Sequence, residues 1–199
     1  MIIHQLAPSD KNKWHPTWKM CHSSISKLPY KVKIWNDEEI NNELKKDDEY
    51  FYNKYLSILD PIYKWDYIRY IILERYGGAY LDMDIEIKFN FFPLLNNNII
   101  YILEGKHEEY LQNSIIISPP THHVLWNGIK EWCKINIINN FDECKSNVIN
   151  TIKMVGPQAI SNYFARNNIP FEMLSYHHFS KLDSKLSFAI HHQTSNWYK

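Results

Sequence analysis

Asp82 and Asp84 stand two residues apart inside "AYLDMDIEI", a stretch otherwise built from strand formers. Burying one carboxylate is costly, and a second close by adds repulsion to the desolvation cost. Side chains at i and i+2 of an extended strand share a face, so the two carboxylates converge if the strand stays regular. If the strand ends near Asp84, a turn brings both to one edge instead. A bound divalent cation would neutralise both, and hard oxygen ligands suit Mg²⁺ or Mn²⁺. A surface turn capped by one of the aspartates is the plainer alternative. A phosphatase-type aspartate nucleophile is another, although no loop hydroxyl or lysine signature accompanies it. A calcium loop is excluded. Counted from Asp82, the glycine position holds Ile87 and the terminal glutamate position holds Pro93.

The helix that must precede this strand carries a second polar pair. Asp66 and Arg69 lie three apart in "PIYKWDYIRYIILERYGG" and so share a helical face. As an exposed ion pair they would contribute roughly 0.5 kcal/mol or less. Their neighbours Tyr67, Ile68, Tyr70 and Ile71 are apolar or aromatic, which reads as a buried helix. A partly buried aspartate and arginine call for a polar ligand. Pro61 suits the first turn of this helix and Gly77-Gly78 its end. The helix–Gly-Gly–strand unit therefore aims Asp66, Arg69, Asp82 and Asp84 at one place.

The surrounding pattern alternates strands and helices. "MIIHQL", "YKVKIWND", "NIIYILE" and "NSIIIS" read as strands. "THHVLWNGIKEWCKINII" and "GPQAISNYFARNN" read as helices, the latter with Pro157 at its start. Asn36 and Glu39 have the spacing of a capping box for a helix beginning "DEEINNEL". The charge run in "LKKDDEYFYNKYLSIL" reads as a solvated face. "FAIHHQTSNWYK" closes the chain as a strand and a polar tail. The pattern predicts a single α/β domain over residues 1–199, with a mostly parallel mixed sheet flanked by helices.

Composition narrows the function. The 199 residues are 45% hydrophobic, enough for a substantial core. Lys plus Arg equal Asp plus Glu at 22 each, so charge gives no reason to expect nucleic acid as a partner. The N-terminus has no basic segment followed by a long apolar stretch, and no apolar run approaches the ~20 residues of a membrane span. Cys21, Cys133 and Cys144 form no CxxC pair, against a thiolate zinc site. A soluble cytoplasmic protein without a transmembrane anchor is the expectation.

"KWDYIRYIILERYGGAYLDMDIE" resembles the DxD sugar-transfer segment of glycosyltransferase family 32, which includes the yeast initiating α-1,6-mannosyltransferases. The large clostridial glucosylating toxins carry a related segment. "IIHQ", "YKVKIWND", "NSIIISPPTHHVL", "VGPQAIS" and "AIHHQTSNW" are similar to further family elements, in order along nearly the whole chain. The chain departs from the family pattern at three places. Leu6 and Ala7 stand where a tryptophan is usual, His123 replaces a proline, and Ser195-Asn196-Trp197 replaces Gly-Ser-Trp.

The resemblance implies a GT-A-type fold and a metal-dependent transfer, with retention of configuration, from a UDP- or GDP-sugar to a glycan or other hydroxyl acceptor. The implied cofactor is Mn²⁺ or Mg²⁺. It implies Asp84 as a direct metal ligand and Asp82 at the ribose or the metal. It implies Asp66 accepting from sugar hydroxyls and Arg69 steadying sugar or phosphate. His192, with His191 second, is the expected imidazole ligand, and Trp197 the indole that closes over the diphosphate. His4 and Gln5 are expected beside the nucleotide base, and the Asn113 amide beside a donor hydroxyl. Trp14, Trp18, Trp126 and Trp132 are assigned to packing. The polar tail from His191 onward is expected to act as a lid. A nucleotide-sugar- or glycan-binding module without turnover, and a metal-dependent phosphohydrolase, remain the alternatives.

Overall fold

The computed structural model describes residues 1–105, 110–179 and 187–194. A six-stranded mixed sheet organises the chain. Its strands are β1 (Ile2–Leu6), β2 (Lys31–Trp35), β3 (Gly78–Leu81), β5 (Tyr101–Glu104), β6 (Leu111–Ser118) and β7 (Glu172–Leu174), in the order β2-β1-β3-β6-β5-β7. β1 pairs in parallel with β2 and β3, and β5 with β7, whereas β6 runs antiparallel to both of its neighbours. β4 (Ile85–Ile87) and β8 (Ala189–His191) form a separate antiparallel pair.

Side-chain alternation sends the two faces of the sheet into different cores. Tyr80, Ile102 and Ile116 join the larger cluster, with α2 (Asp37–Phe51), α3 (Pro61–Tyr76), α4 (His123–Asn139) and α7 (Pro157–Asn167). Ile3, Ala79, Leu81, Ile115 and Ile117 join the other, beneath α1 (Pro16–Ser26), β4 and β8. The short helices α5 (Phe141–Ser146) and α6 (Thr151–Met154) link α4 to α7.

α3 is apolar on nearly every side, and its residues from Tyr67 to Leu73 are all buried. Such a helix belongs in the interior. Its start is held by Asp60, whose side chain accepts from Ile62 N at 3.0 Å, with Pro61 in the first turn. Its end is forced by Gly77 (φ 58°) and Gly78 (φ 89°), where Cβ atoms would collide with the Pro120 backbone and with Ile2 O respectively. The expected capping box at α2 is present, with Glu39 N bonded to Asn36 Oδ1 at 3.0 Å and Asn36 N to Glu39 Oε2 at 3.1 Å.

Two expectations change. "AYLDMDIEI" is two strands, because Ile85 N donates to Asp82 O at 3.1 Å and turns the chain out of the main sheet after Leu81. The charge run of α2 is partly interior rather than a solvated face. Lys130, only 6% exposed, reaches Asp47 at 2.7 Å and Glu74 at 2.8 Å, while Arg75 pairs with Glu43 and Lys134 with Asp48. The three cysteines are buried and free. Among the described residues no helix is long and apolar enough to cross a membrane.

Gly78→Ala tests the turn that aims the strand. A side chain at φ 89° facing Ile2 O strains the β1–β3 pairing, and a loss of about 3 kcal/mol is expected by denaturant titration. A variant within 0.5 kcal/mol of the parent, roughly the scatter of a neutral surface change, would contradict this.

Candidate active site

The C-terminal end of β3 collects the expected acidic residues. Asp82 leaves the strand with its N–H donating to Ser114 O at 2.9 Å, and the turn to Ile85 then carries Asp84 round. Beneath them Arg69 is buried, 6% exposed. Its Nη2 lies 2.8 Å from Asp66 Oδ1 and 3.3 Å from Asp82 Oδ1, and its Nη1 donates to Asn113 O at 2.8 Å. The guanidinium sits over the Tyr80 ring at 4.7 Å, and the Tyr80 hydroxyl donates to Asp82 Oδ1 at 2.7 Å. Arg69 Nε is buried and has no hydrogen-bond partner. Gly156, at the start of α7, closes the far side, and a Cβ there would lie 2.9 Å from Asp66 Oδ2.

The carboxylates are held differently. Burial raises the Asp66 pKa to about 6 against the pull of Arg69. Burial also raises Asp82, again opposed by Arg69. Burial pushes the same way at Asp84, but His191 and Thr194 outweigh it and bring the pKa down to about 2. Asp84 Oδ2 accepts from Thr194 N at 2.8 Å and Thr194 Oγ1 at 3.1 Å, and Asp84 Oδ1 lies 3.4 Å from His191 Nε2. One ligand atom from each of Asp82, Asp84 and His191 falls within 4.8 Å of the others. Two oxygens and an imidazole nitrogen at that spacing fit Mn²⁺ better than Mg²⁺, which prefers an all-oxygen shell. Asp66, Asp82 and Asp84 against Arg69 leave two surplus negative charges when all are ionised, a reason for the site to attract a divalent cation.

The histidine beside the aspartates is thus His191 rather than the expected His192. His191 is paired with Ile85 in the β4–β8 ladder and turns toward Asp84, whereas His192 Nε2 is 3.0 Å from Glu86 Oε2. His4 and Gln5 do not both face the site, since consecutive strand residues point to opposite faces. His4 is fully engaged by the scaffold. Trp35 Nε1 can only donate, so His4 Nδ1 accepts from it at 3.2 Å and Nε2 donates to Gly77 O at 3.0 Å. Burial lowers its pKa to about 4. Gln5 lies on the α1 side, with Oε1 on His22 Nδ1 at 2.8 Å and a buried Nε2 without a partner. Asn113 contributes its carbonyl to Arg69, while its side-chain Nδ2 is buried without a hydrogen-bond partner. Trp197, with Ser195 and Asn196, and most of the expected lid lie outside the described residues.

Three contributors escaped the sequence reading. Tyr80 stands two before Asp82, so strand periodicity could have placed it on the same face. Thr194 gives no such signal. Trp18, assigned to packing, donates from Nε1 to Thr194 Oγ1 at 3.2 Å.

Arg69→Met leaves Asp66 and Asp82 without their shared cation. A loss of about 3–5 kcal/mol is expected at pH 7. Asp66 already binds its proton more tightly folded (pKa about 6) than at its ordinary 3.8. Protonation therefore favours the folded state as pH falls through this window, and the variant should regain stability toward pH 4 relative to the parent. Denaturant titrations at both pH values in chelator check this. A deficit that is absent at pH 7 would contradict the buried triad.

Residues 8–101 match the family described as "Glycosyltransferase sugar-binding region containing DXD motif". Inositol phosphoceramide mannosyltransferase 1 of Schizosaccharomyces pombe is 29% identical over 138 residues, which cover 68% of this chain and 43% of that protein. An uncharacterized glycosyltransferase of Acanthamoeba polyphaga mimivirus is 34% identical over 139 residues, covering 62% of this chain and 51% of the viral one. The chain thus spans about half, or less, of these curated relatives. Among solved structures, a glycosyltransferase involved in glycosylation of the major capsid of PBCV-1 aligns over 99% of this chain and 94% of its own, with 9% identity and a TM-score of 0.52. That likeness concerns the fold, which is of GT-A type. Motif and site geometry are those of the DXD sugar-binding region that residues 8–101 match, set in a fold like that of solved glycosyltransferases.

Proposed function

We propose that the domain transfers a sugar from a nucleoside-diphosphate sugar to a hydroxyl acceptor, with a divalent cation held by Asp82, Asp84 and His191. The observation that carries this reading is the convergence of those three ligand atoms beside the buried Asp66–Arg69 pair. The cation, when bound, would act as a Lewis acid toward the charge on the departing diphosphate. The donor set fits Mn²⁺.

The chain's own residues account for the rest. Arg69 spends Nη1 and Nη2 on Asn113, Asp66 and Asp82, which fixes the plane of its guanidinium, and Nε remains as a donor. Asp66 Oδ1 is taken by Arg69, and its other oxygen faces the Gly156 turn, where it can accept from a sugar hydroxyl. The absence of a side chain at Gly156 leaves that carboxylate room. Because the Schizosaccharomyces pombe relative is named a mannosyltransferase, mannosyl donors are the first class to test. A glycan acceptor and retention of the anomeric configuration belong to the same reading.

A thermal-shift screen of UDP- and GDP-sugars with Mn²⁺ identifies the donor, since a ligand bound only by the folded state raises its melting point. Chelator should abolish that shift and Mn²⁺ restore it. A donor bound equally well in chelator would contradict the metal site. Asp84→Ala should lower transfer about 100-fold or more while the protein still folds. Parental transfer by this variant would overturn the assignment. Proton NMR of the first-formed product should show the donor's anomeric configuration, and inversion would refute retention.

A further inference from the structure

Asp84 is gripped from a part of the chain that the DXD segment does not contain. Thr194 directs both its backbone N–H (2.8 Å) and its hydroxyl (3.1 Å) to Asp84 Oδ2. The turn that brings it there passes through Gln193, held at φ 49°, a left-handed conformation uncommon outside glycine. One residue earlier, His192 N donates to Asp84 O at 3.0 Å, so the backbone of Asp84 is anchored to the same segment.

The Thr194 hydroxyl has a second neighbour, Trp18 Nε1 at 3.2 Å, on α1 and 176 residues away in sequence. An indole N–H donates and cannot accept, so Thr194 Oγ1 must be the acceptor in that contact. Its single hydrogen is then free to point at Asp84 Oδ2. Trp18 thereby sets the direction of the hydroxyl. The other tryptophan donors with assigned partners serve the scaffold: Trp14 bonds Pro8 O, Trp35 bonds His4 and Trp126 bonds Ser118. Trp18 is half-buried against Trp14, Ala7 and Met83, the residue between the two aspartates.

We propose that Trp18 and Thr194 are positioning residues for the metal site: they pin Asp84 Oδ2 so that Oδ1 alone is presented toward Asp82 and His191. A carboxylate on a rotatable bond offers either oxygen. Two donors on one oxygen choose the other for the cation before it arrives, which lowers the ordering cost of binding. The inference rests on the metal reading above and goes beyond it, because it assigns a role to α1 and to the residues after β8.

The test is direct Mn²⁺ binding by the full chain without donor, read by electron paramagnetic resonance of free Mn²⁺. Thr194→Val keeps the shape and the backbone donor but removes the hydroxyl, and affinity should fall about tenfold. Thr194→Ser should bind like the parent. Trp18→Phe should lose about threefold, a fraction of the effect of a directly bonded outer partner. The double variant Trp18→Phe/Thr194→Val should be no weaker than Thr194→Val alone, because Trp18 acts through the hydroxyl. Melting points in chelator should be nearly unchanged for all of them, which separates positioning from general damage. Parental affinity in Thr194→Val, or a full additional loss from Trp18→Phe on top of it, would overturn the relay alone. A parental chain that binds no Mn²⁺ would overturn the metal reading as well.

Discussion

A guanidinium shared by two carboxylates beneath the surface is the constraint on which the rest of this site depends. Arg69 stays charged at 6% exposure, so Asp66 and Asp82 must compensate that buried charge, and neither acid is comfortable there without it. Burial opposes the charge on Arg69, yet Asp66 and Asp82 hold its pKa above the usual value. Asp66 supplies its half of the pair from the same face of α3, and Asp82 supplies the other half from the end of β3. The pair therefore ties the helix to the strand that follows it. Tyr80 braces both components, with its ring under the guanidinium and its hydroxyl on Asp82. The two glycines at the joint set the angle at which helix and strand meet, and neither tolerates a side chain.

Asp82 and Asp84 are neighbours in sequence with separate electrostatic surroundings. Asp82 belongs to the arginine and to the phenol below it, and burial raises its pKa. Asp84 belongs to the end of β8 and the residues just after it, where the His191 imidazole and two donors of Thr194 outweigh burial and draw its pKa down to about 2. The turn between them makes this division. Had the strand run on through Ile87, both carboxylates would project from one sheet face under the same influences. Broken at Leu81, the chain gives one to the main sheet and the other to the antiparallel β4–β8 pair. A cation between them would join the two halves, and the excess negative charge left by Arg69 favours that occupancy.

The distant helices support this arrangement through ordinary packing and one unusual charged layer. Lys130 on α4 lies between Asp47 on α2 and Glu74 on α3, nearly out of contact with water. Removing one member of such a group leaves its partners buried without compensation, so the layer fixes which helix faces meet. The same helix, α3, presents this layer at its end and the Arg69 pair at its middle. Its near-total burial serves both.

Local periodicity and end signals were enough to place α3, its proline start, its double-glycine stop and the acidic pair that follows, because these depend on residues a few positions apart. The spacing of Asp66 and Arg69 and the spacing of Asp82 and Asp84 likewise showed that four polar groups meet. The expected α/β architecture also rests on such short-range patterns, and β3 and α3 lie as they require. Sequence alone could not decide which histidine turns toward Asp84, since His191 and His192 are adjacent and only the β4–β8 register orients them. Nor could it show that His4 is consumed by Gly77 and Trp35, 73 and 31 residues away. The indole of Trp18 meets Thr194 across 176 residues, and no local pattern encodes that meeting. A side chain's face is set by neighbours along the chain, whereas its partner is set by which elements the sheet brings side by side.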